Sequence, residues 1–215
     1  MFKEWKLHLT WSYLAPLLLL GAQIWNLCSG SNAYVASRPA ELLQTFGVFW
    51  PLALCLALAS LLPYERQEGM LELRLSYPTP YWRSLLMKIA LPAIWWSVVG
   101  GAGLLICYHS YMHFSVWSML QMILPPAIAL GGFTLLVSAI TLNMPATLVT
   151  TIAWWGFELV TACRLSGAFA LFPISMNVTN INLVTNRWLL LAAGVSLTIL
   201  SVVLLGKRHL PTVEE

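Results

Sequence analysis

Six stretches of this chain run for about 18 to 25 residues with almost no charge, the length a helix needs to cross hydrocarbon. No other feature restricts the fold so far. A bilayer core offers no water to backbone groups, so a spanning segment must be an α-helix or part of a closed barrel. The runs lie at about 9–27, 45–62, 85–108, 117–141, 146–163 and 188–206. They predict an all-α polytopic membrane protein, one transmembrane domain over residues 1–215. Charged residues are 9% of the chain and hydrophobic ones 59%, against about 25% charged in soluble domains. The 11 Trp residues suit the bilayer interface, where a ring with one polar end is stable.

Pro16, Pro51, Pro92, Pro125, Pro126, Gly131 and Gly132 fall inside these runs. Membrane helices tolerate such residues when neighbours satisfy the freed backbone groups. The Pro125-Pro126 pair is a candidate kink or break in the fourth span. The first run has the basic start of a signal peptide (Lys3, Lys6), but no small-x-small site follows it closely, so an uncleaved span is expected.

Basic residues set the expected orientation. Six spans put both termini on one side, together with Lys3, Lys6, Arg66, Arg74, Arg83, Lys88, Lys207 and Arg208. Only Arg38, Arg164 and Arg187 fall on the other. The larger set belongs inside, so both termini are expected in the cytoplasm of a cell, most simply a bacterial plasma membrane. The last outer connection, Arg164–Arg187, carries the apolar stretch Ala168–Ile174, too short to span. It reads as a re-entrant or interfacial segment at about 165–180.

The one strongly charged segment joins the second and third spans. It reads Tyr64-Glu65-Arg66-Gln67-Glu68-Gly69-Met70-Leu71-Glu72-Leu73-Arg74-Leu75-Ser76-Tyr77-Pro78. Glu65, Glu68 and Glu72 would line one stripe of a helix. Leu71, Leu73 and Leu75 alternate with charges as in a strand, and periodicity leaves both open. Pro78 stops any helix by about Tyr77. Composition alone fits an ordinary solvated loop.

The same segment resembles the first cytoplasmic loop of ABC-2 type transporter permeases, with its Glu-Arg-x-x-Gly, a short apolar-acidic stretch, Pro, then Lys entering the third helix. Here these are Glu65-Arg66, Gly69, Glu72, Pro78 and Lys88. The six-span layout and the long loop before the last span are similar too. The resemblance implies a coupling helix at about 64–77, seated in a groove of a separate ATPase, with Glu65, Arg66, Glu68, Gly69, Glu72, Arg74, Pro78 and Lys88 as coupling residues. It implies a second, shorter contact near Leu142–Pro145, and outer re-entrant helices at Ala168–Ile174. Residues Phe2–His8 would match the short interfacial helix before the first span. It further implies an exporter of two permease subunits, alike or different, and two ATPase subunits, with lipid around them and no nucleic acid. ATP and Mg would be bound by the ATPase alone. This chain has no G-x-x-x-x-G-K-[ST] stretch to cradle phosphates. No cofactor of its own and no catalytic residue is expected.

Glu158 is the one acid deep in an apolar run, about 18 Å along the fifth helix from Ala146 at the usual rise. A carboxylate there costs about 2.5–3.5 kcal/mol or more unless a cavity or partner receives it. Two readings stand: a gate or substrate-pathway residue, or a structural group bonded to Arg164 or across helices. Trp154 and Trp155 beside it, and Trp95 and Trp96 in the third span, either line a pathway for an amphipathic cargo or pack the bundle. His109 and His113 are four apart, with no further ligand nearby, so no metal site is expected. Cys28, Cys55, Cys107 and Cys163 form no C-x-x-C pair, and small apolar helix residues are the plain reading. The Asn177-Val178-Thr179 sequon is a lone match. A self-sufficient channel or secondary carrier with a pathway near Glu158 is the first alternative, and a membrane enzyme or assembly factor the second. The apolar, Trp-rich spans lean toward a hydrophobic or amphipathic cargo such as a peptide, drug or lipid.

Overall fold

A computed structural model describes residues 14, 16–18, 20–22, 38–67, 81–111, 116–173 and 182–207. Among them every regular element is helical. The order is α1 (Arg38–Ala59), α2 (Leu61–Gln67), α3 (Tyr81–Tyr111), α4 (Val116–Thr141), α5 (Met144–Val160), a 3₁₀ turn (Gly167–Phe169) and α6 (Leu183–Lys207). Residues 14, 16–18 and 20–22 are helical as well.

Four windows are long and apolar enough to cross a membrane: Phe46–Pro63, Leu85–Leu105, Met119–Thr141 and Leu183–Gly206. They coincide with the second, third, fourth and sixth expected spans. The fifth expected span corresponds to α5, whose 17 residues stand at the short end of the spanning range. Most of the first lies outside the described residues, as do Phe2–His8, Cys28 and the sequon Asn177–Thr179. So do Glu68, Gly69, Glu72, Arg74 and Pro78, and the side chains of Glu65, Cys107, His109 and His113.

Helix α4 is the hub. Its widest packing is on α6, then on α1, and α5 folds back beside it through a tight turn at Leu142-Asn143. That turn is locally encoded. Leu142 takes a left-handed φ of 48°, Asn143 Oδ1 accepts the Ala146 N–H, and Pro145 sits in the first turn of α5, where its missing N–H has no role. Thr141 and Thr147 hydroxyls meet at 3.2 Å across it, and Thr134 and Thr151 at 3.2 Å one layer deeper. Thr134, Thr141 and Thr147 each also donate to a backbone carbonyl, and Thr151 is answered by the Thr134 hydroxyl, as buried polar groups in apolar surroundings require.

Three apolar clusters stack along the bundle. Phe46, Trp50, Leu54, Trp96, Val99 and Ile123 lie at its heart, with Leu20 packed against them. Leu62, Leu85, Ala139 and Leu205 close one end. Val48, Leu130, Cys163, Leu171, Phe172 and Leu190 close the other. The first of these end clusters gathers the end of α1–α2, the start of α3 and the ends of α4 and α6. The helices therefore alternate in direction. This order puts Arg66, Arg83, Lys88 and Lys207 at the turn end, and Arg38, Arg164 and Arg187 at the opposite end.

Prolines do not break the helices. Pro125 and Pro126 are buried inside a continuous α4, so the expected split is absent, and Pro51 and Pro92 likewise sit inside α1 and α3. The break that does occur is at Ser60, between α1 and α2, where the Ser60 hydroxyl bonds back to Ala57 O at 3.0 Å.

Candidate functional site

The end of the bundle opposite the α4–α5 turn holds the buried Glu158 and Asn186 and the half-buried Arg187. It is built by the last turn of α5, the loop 161–173 and the first turns of α6.

Helix α5 ends without glycine. The Thr161 N–H returns to Phe157 O at 2.9 Å and the Cys163 N–H to Glu158 O at 2.9 Å, while Ala162 and Cys163 take φ of 48° and 58°. Left-handed backbone costs a residue with a side chain about 1–2 kcal/mol. Two such residues in succession persist only where tertiary contacts hold them. Glu158 supplies one set of contacts. Its side chain is 1% exposed. One carboxylate oxygen accepts the Ser166 hydroxyl, and the other accepts the Leu171 N–H at 3.3 Å. The Cys163 thiol lies against the same carboxylate. Glu158 thus fastens both arms of the loop to the helix that precedes it. Arg164 is exposed; of the partners open to Glu158 from sequence, the carboxylate takes neither Arg164 nor a neighbouring helix but a hydroxyl and an amide of the following loop.

Asn186 fastens the same loop from the other side. Fully buried in the first turns of α6, it donates through Nδ2 to Ala168 O at 2.8 Å and to Ala170 O at 2.9 Å. Between the two fasteners Ala170, Leu171, Phe172 and Pro173 turn into the bundle. The stretch expected as a re-entrant segment is, over its described part, a clasped loop with one 3₁₀ turn; residues 174–180 lie outside the described residues.

Next to Asn186, Arg187 is half-buried, and its Nε and Nη1 are buried with no hydrogen-bond partner; Asn186 Oδ1 is in the same condition. Sequence reading had placed Arg187 in the outer loop. It stands inside α6, which begins at Leu183, earlier than the expected 188, because Asn182 caps it. Asn182 Oδ1 accepts from Val184 N–H at 3.1 Å and Thr185 N–H at 3.4 Å. Neither Asn186 nor Ser166 was singled out from sequence. The available signal was three uncharged polar residues, Asn182, Thr185 and Asn186, just before an apolar span.

Of the aromatic candidates, Trp155 is half-buried and donates Nε1–H to Val48 O at 2.9 Å, with the Phe49 ring tilted against it at 5.4 Å. Trp154 meets Phe133 edge to face at 4.4 Å. Trp96 is buried and donates to Trp50 O at 2.8 Å, while Trp95 is exposed. Trp154, Trp155 and Trp96 are therefore engaged in helix–helix packing. Cys55 and Cys163 are buried free thiols.

At the turn end, the segment expected to couple begins as α2, with Arg66 exposed on it. Lys88 is half-buried in α3 and engaged with a neighbour. The two ends are thus distinct: one holds the clasped loop with Glu158 and Asn186, the other ends α2 on the exposed Arg66. No family model, curated protein or solved structure matches this chain.

Proposed function

We propose that the chain is the permease subunit of an ATP-binding cassette exporter of the ABC-2 type, moving a hydrophobic or amphipathic substrate with ATP hydrolysed by a separate subunit. The observation that carries this reading is the charged segment Glu65-Arg66-x-x-Gly69, Glu72, Arg74, Pro78 and Lys88 between two apolar helices of spanning length. The helical start of that segment at Leu61–Gln67, set off from α1 by a break at Ser60, supports it. So does the charge distribution, which sets Arg66, Arg83, Lys88 and Lys207 at that end.

On this reading six helices span the membrane: one at about 9–27, then α1, α3, α4, α5 and α6. Both termini lie in the cytoplasm. Two permeases, identical or different, meet two ATPases. ATP and Mg sit in the ATPases, and closure of the ATPase pair pushes on residues 64–77. The α4–α5 turn, stiffened by Asn143 and its threonines, offers the second, smaller contact. Movement then passes along α4 as a rigid body to the clasped outer loop. Glu158 would serve the gate by holding that loop shut.

Affinity purification of the tagged chain from its native membrane tests the assembly; an ATPase should copurify in equal amount. In the purified complex, Glu65→Lys and Gly69→Pro should abolish substrate-stimulated ATP hydrolysis while insertion stays normal. Stimulation at the wild-type level in both would remove the coupling role. The second reading, a self-sufficient channel or secondary carrier, draws on the gathering of Glu158, Asn186 and Arg187 at one end of the bundle. Transport by the chain alone in ATP-free liposomes would favour it.

A further inference from the structure

Helix α1 ends at Ala59 and α2 begins at Leu61. The usual helix bond from residue 63 to the Ala59 carbonyl is missing across this break, because residue 63 is Pro. Ser60, between the two, is tied back to Ala57 O. The helices are therefore not one continuous rod, and the hydrogen-bond ladder of α1 does not set the direction of α2.

Leu62 sets it instead. This side chain is fully buried, in a cluster with Leu85 of α3, Ala139 of α4 and Leu205 of α6, and Ile89, Val202 and Leu142 pack against the same cluster. None of these residues belongs to α1. The first turn of α2 is thereby keyed into the ends of three other helices. Leu142 is also the first residue of the α4–α5 turn. One cluster thus joins the start of the charged segment to that turn, the two places that the permease reading gives to the ATPase. Close-packed interiors are stiff and pass displacement on, and in lipid such packing is a chief force holding helices together. A push on α2 and a push on the turn then act on the same body.

We propose that Leu62 is the positioning residue of a single docking platform, in which α2 and the α4–α5 turn move together with the ends of α3, α4 and α6. The break at Ser60 lets α2 follow those helices rather than α1. The ATPase as occupant rests on the permease reading; the single body does not.

Spin labels at Arg66→Cys and Val149→Cys, both exposed positions, measure the distance from α2 to α5. The full chain is used, purified in mild detergent, with its four native cysteines replaced by Ala. With Leu62 intact the distance distribution should be one narrow peak. Leu62→Ala, which leaves a cavity in the socket, should broaden it, and Leu62→Met, which nearly conserves volume, should keep it narrow. Leu190→Ala, in the cluster at the opposite end, should lower stability yet leave the peak narrow. If Leu62→Ala does not fold, Leu62→Val carries the test, with a smaller broadening expected. A broad distribution with Leu62 intact, no broadening in the Leu62 variants, or equal broadening by Leu190→Ala overturns the proposal. In the assembled complex, Leu62→Ala should keep its ATPase but lose substrate-stimulated hydrolysis several-fold, and Leu62→Met should restore most of it. Full stimulation in Leu62→Ala overturns the positioning role. Absence of any ATPase from the wild-type preparation overturns the permease reading, and with it the occupant, while the spin-label distances decide the single body by themselves.

Discussion

Gly132 of α4 and Gly194 of α6 cross with their backbones in contact. A Cβ at Gly132 would strike the Gly194 carbonyl, and one at Gly194 would strike the carbonyl of Ile128 and come within 2.8 Å of Ala129 N. This is the crossing around which the most extensively packed helix pair in the bundle is arranged. Without water between helices, close backbone approach is what makes association favourable in lipid. Overpacking at such a point costs about 1–3 kcal/mol or more. Gly132→Ala and Gly194→Ala should each lower the thermal midpoint of the detergent-purified chain. Gly156→Ala, with open space around its Cβ, should leave it unchanged. Equal midpoints for all three would mean that α4 and α6 do not meet in this register.

The Glu158 clasp gives a second expectation. Glu158→Gln keeps the shape but replaces one acceptor oxygen by an amide donor; with the amide oxygen on the Leu171 N–H, the Ser166 hydroxyl must turn to accept, and its own hydrogen loses its acceptor. An orphaned buried polar group costs about 1–3 kcal/mol. The loop should then open more often. The Cys163 thiol, buried in the closed loop, reports that opening. In a chain with Cys28, Cys55 and Cys107 replaced by Ala, maleimide labelling of Cys163 should rise several-fold in Glu158→Gln. In the assembled exporter proposed above, export should weaken while assembly is retained. Unchanged labelling would show that Glu158 does not hold the loop. Raised labelling with unchanged export would leave Glu158 a structural role only.

How much of this was readable in advance divides along one line. Elements set by local chemistry were legible. Spans follow from the length of apolar runs, because hydrocarbon leaves the backbone few alternatives, and α3 and α4 match their expected ranges closely. The α4–α5 turn was legible as the four-residue gap, Leu142–Pro145, between the fourth and fifth apolar runs. What depends on contacts across the chain was not legible. The α5 terminus at Ala162 and Cys163 carries no glycine, so its left-handed turn has no sequence signature; Glu158, Ser166 and Leu171 hold it from outside. The start of α6 was placed too late because Thr185, Asn186 and Arg187 look like a solvated loop. In the fold Asn186 points inward and the loop carbonyls answer it. Of the kink or break left open at Pro125-Pro126, the break is absent. Inside a packed bundle the freed carbonyls of one helical turn do not outweigh the burial of α4 on three neighbours.

The Trp50–Trp96 layer yields a third expectation. Trp96 is 6% exposed, donates Nε1–H to Trp50 O at 2.8 Å, and its ring centroid lies 6.0 Å from that of Trp50. Gly100, one turn further along α3, lies so close to the Trp50 ring that a Cβ would come within 2.6 Å of Cε2. Trp96→Phe keeps an aromatic but removes the bond between α3 and α1, which is worth about 0.6–1.7 kcal/mol between membrane helices. Gly100→Ala pushes on the ring itself and should be the more damaging of the two. Thermal unfolding followed by size-exclusion chromatography ranks them. A neutral Gly100→Ala would indicate that the Trp50 ring rotates away freely and that the layer is looser than its geometry implies.

Asn186 separates the two fasteners of the outer loop. Asn186→Leu has nearly the same volume, yet removes the donors to Ala168 O and Ala170 O and leaves two carbonyls facing an apolar group. At about 0.6 kcal/mol for an average interhelical bond in a membrane protein, the stability loss should be modest. Its location is the informative part. Hydrogen exchange should rise at the amides of Phe169, Ala170 and Leu171, while the α4–α5 turn keeps its protection, because Asn143 and the threonines that brace it lie at the far end of the bundle. Glu158→Gln should raise exchange over the same residues, and the double variant should exceed the sum of the two, since each fastener limits the opening left by loss of the other. Strict additivity would mean that the arms of the loop open independently. Protection lost equally at the α4–α5 turn would mean that the bundle opens as a whole rather than at its clasped end.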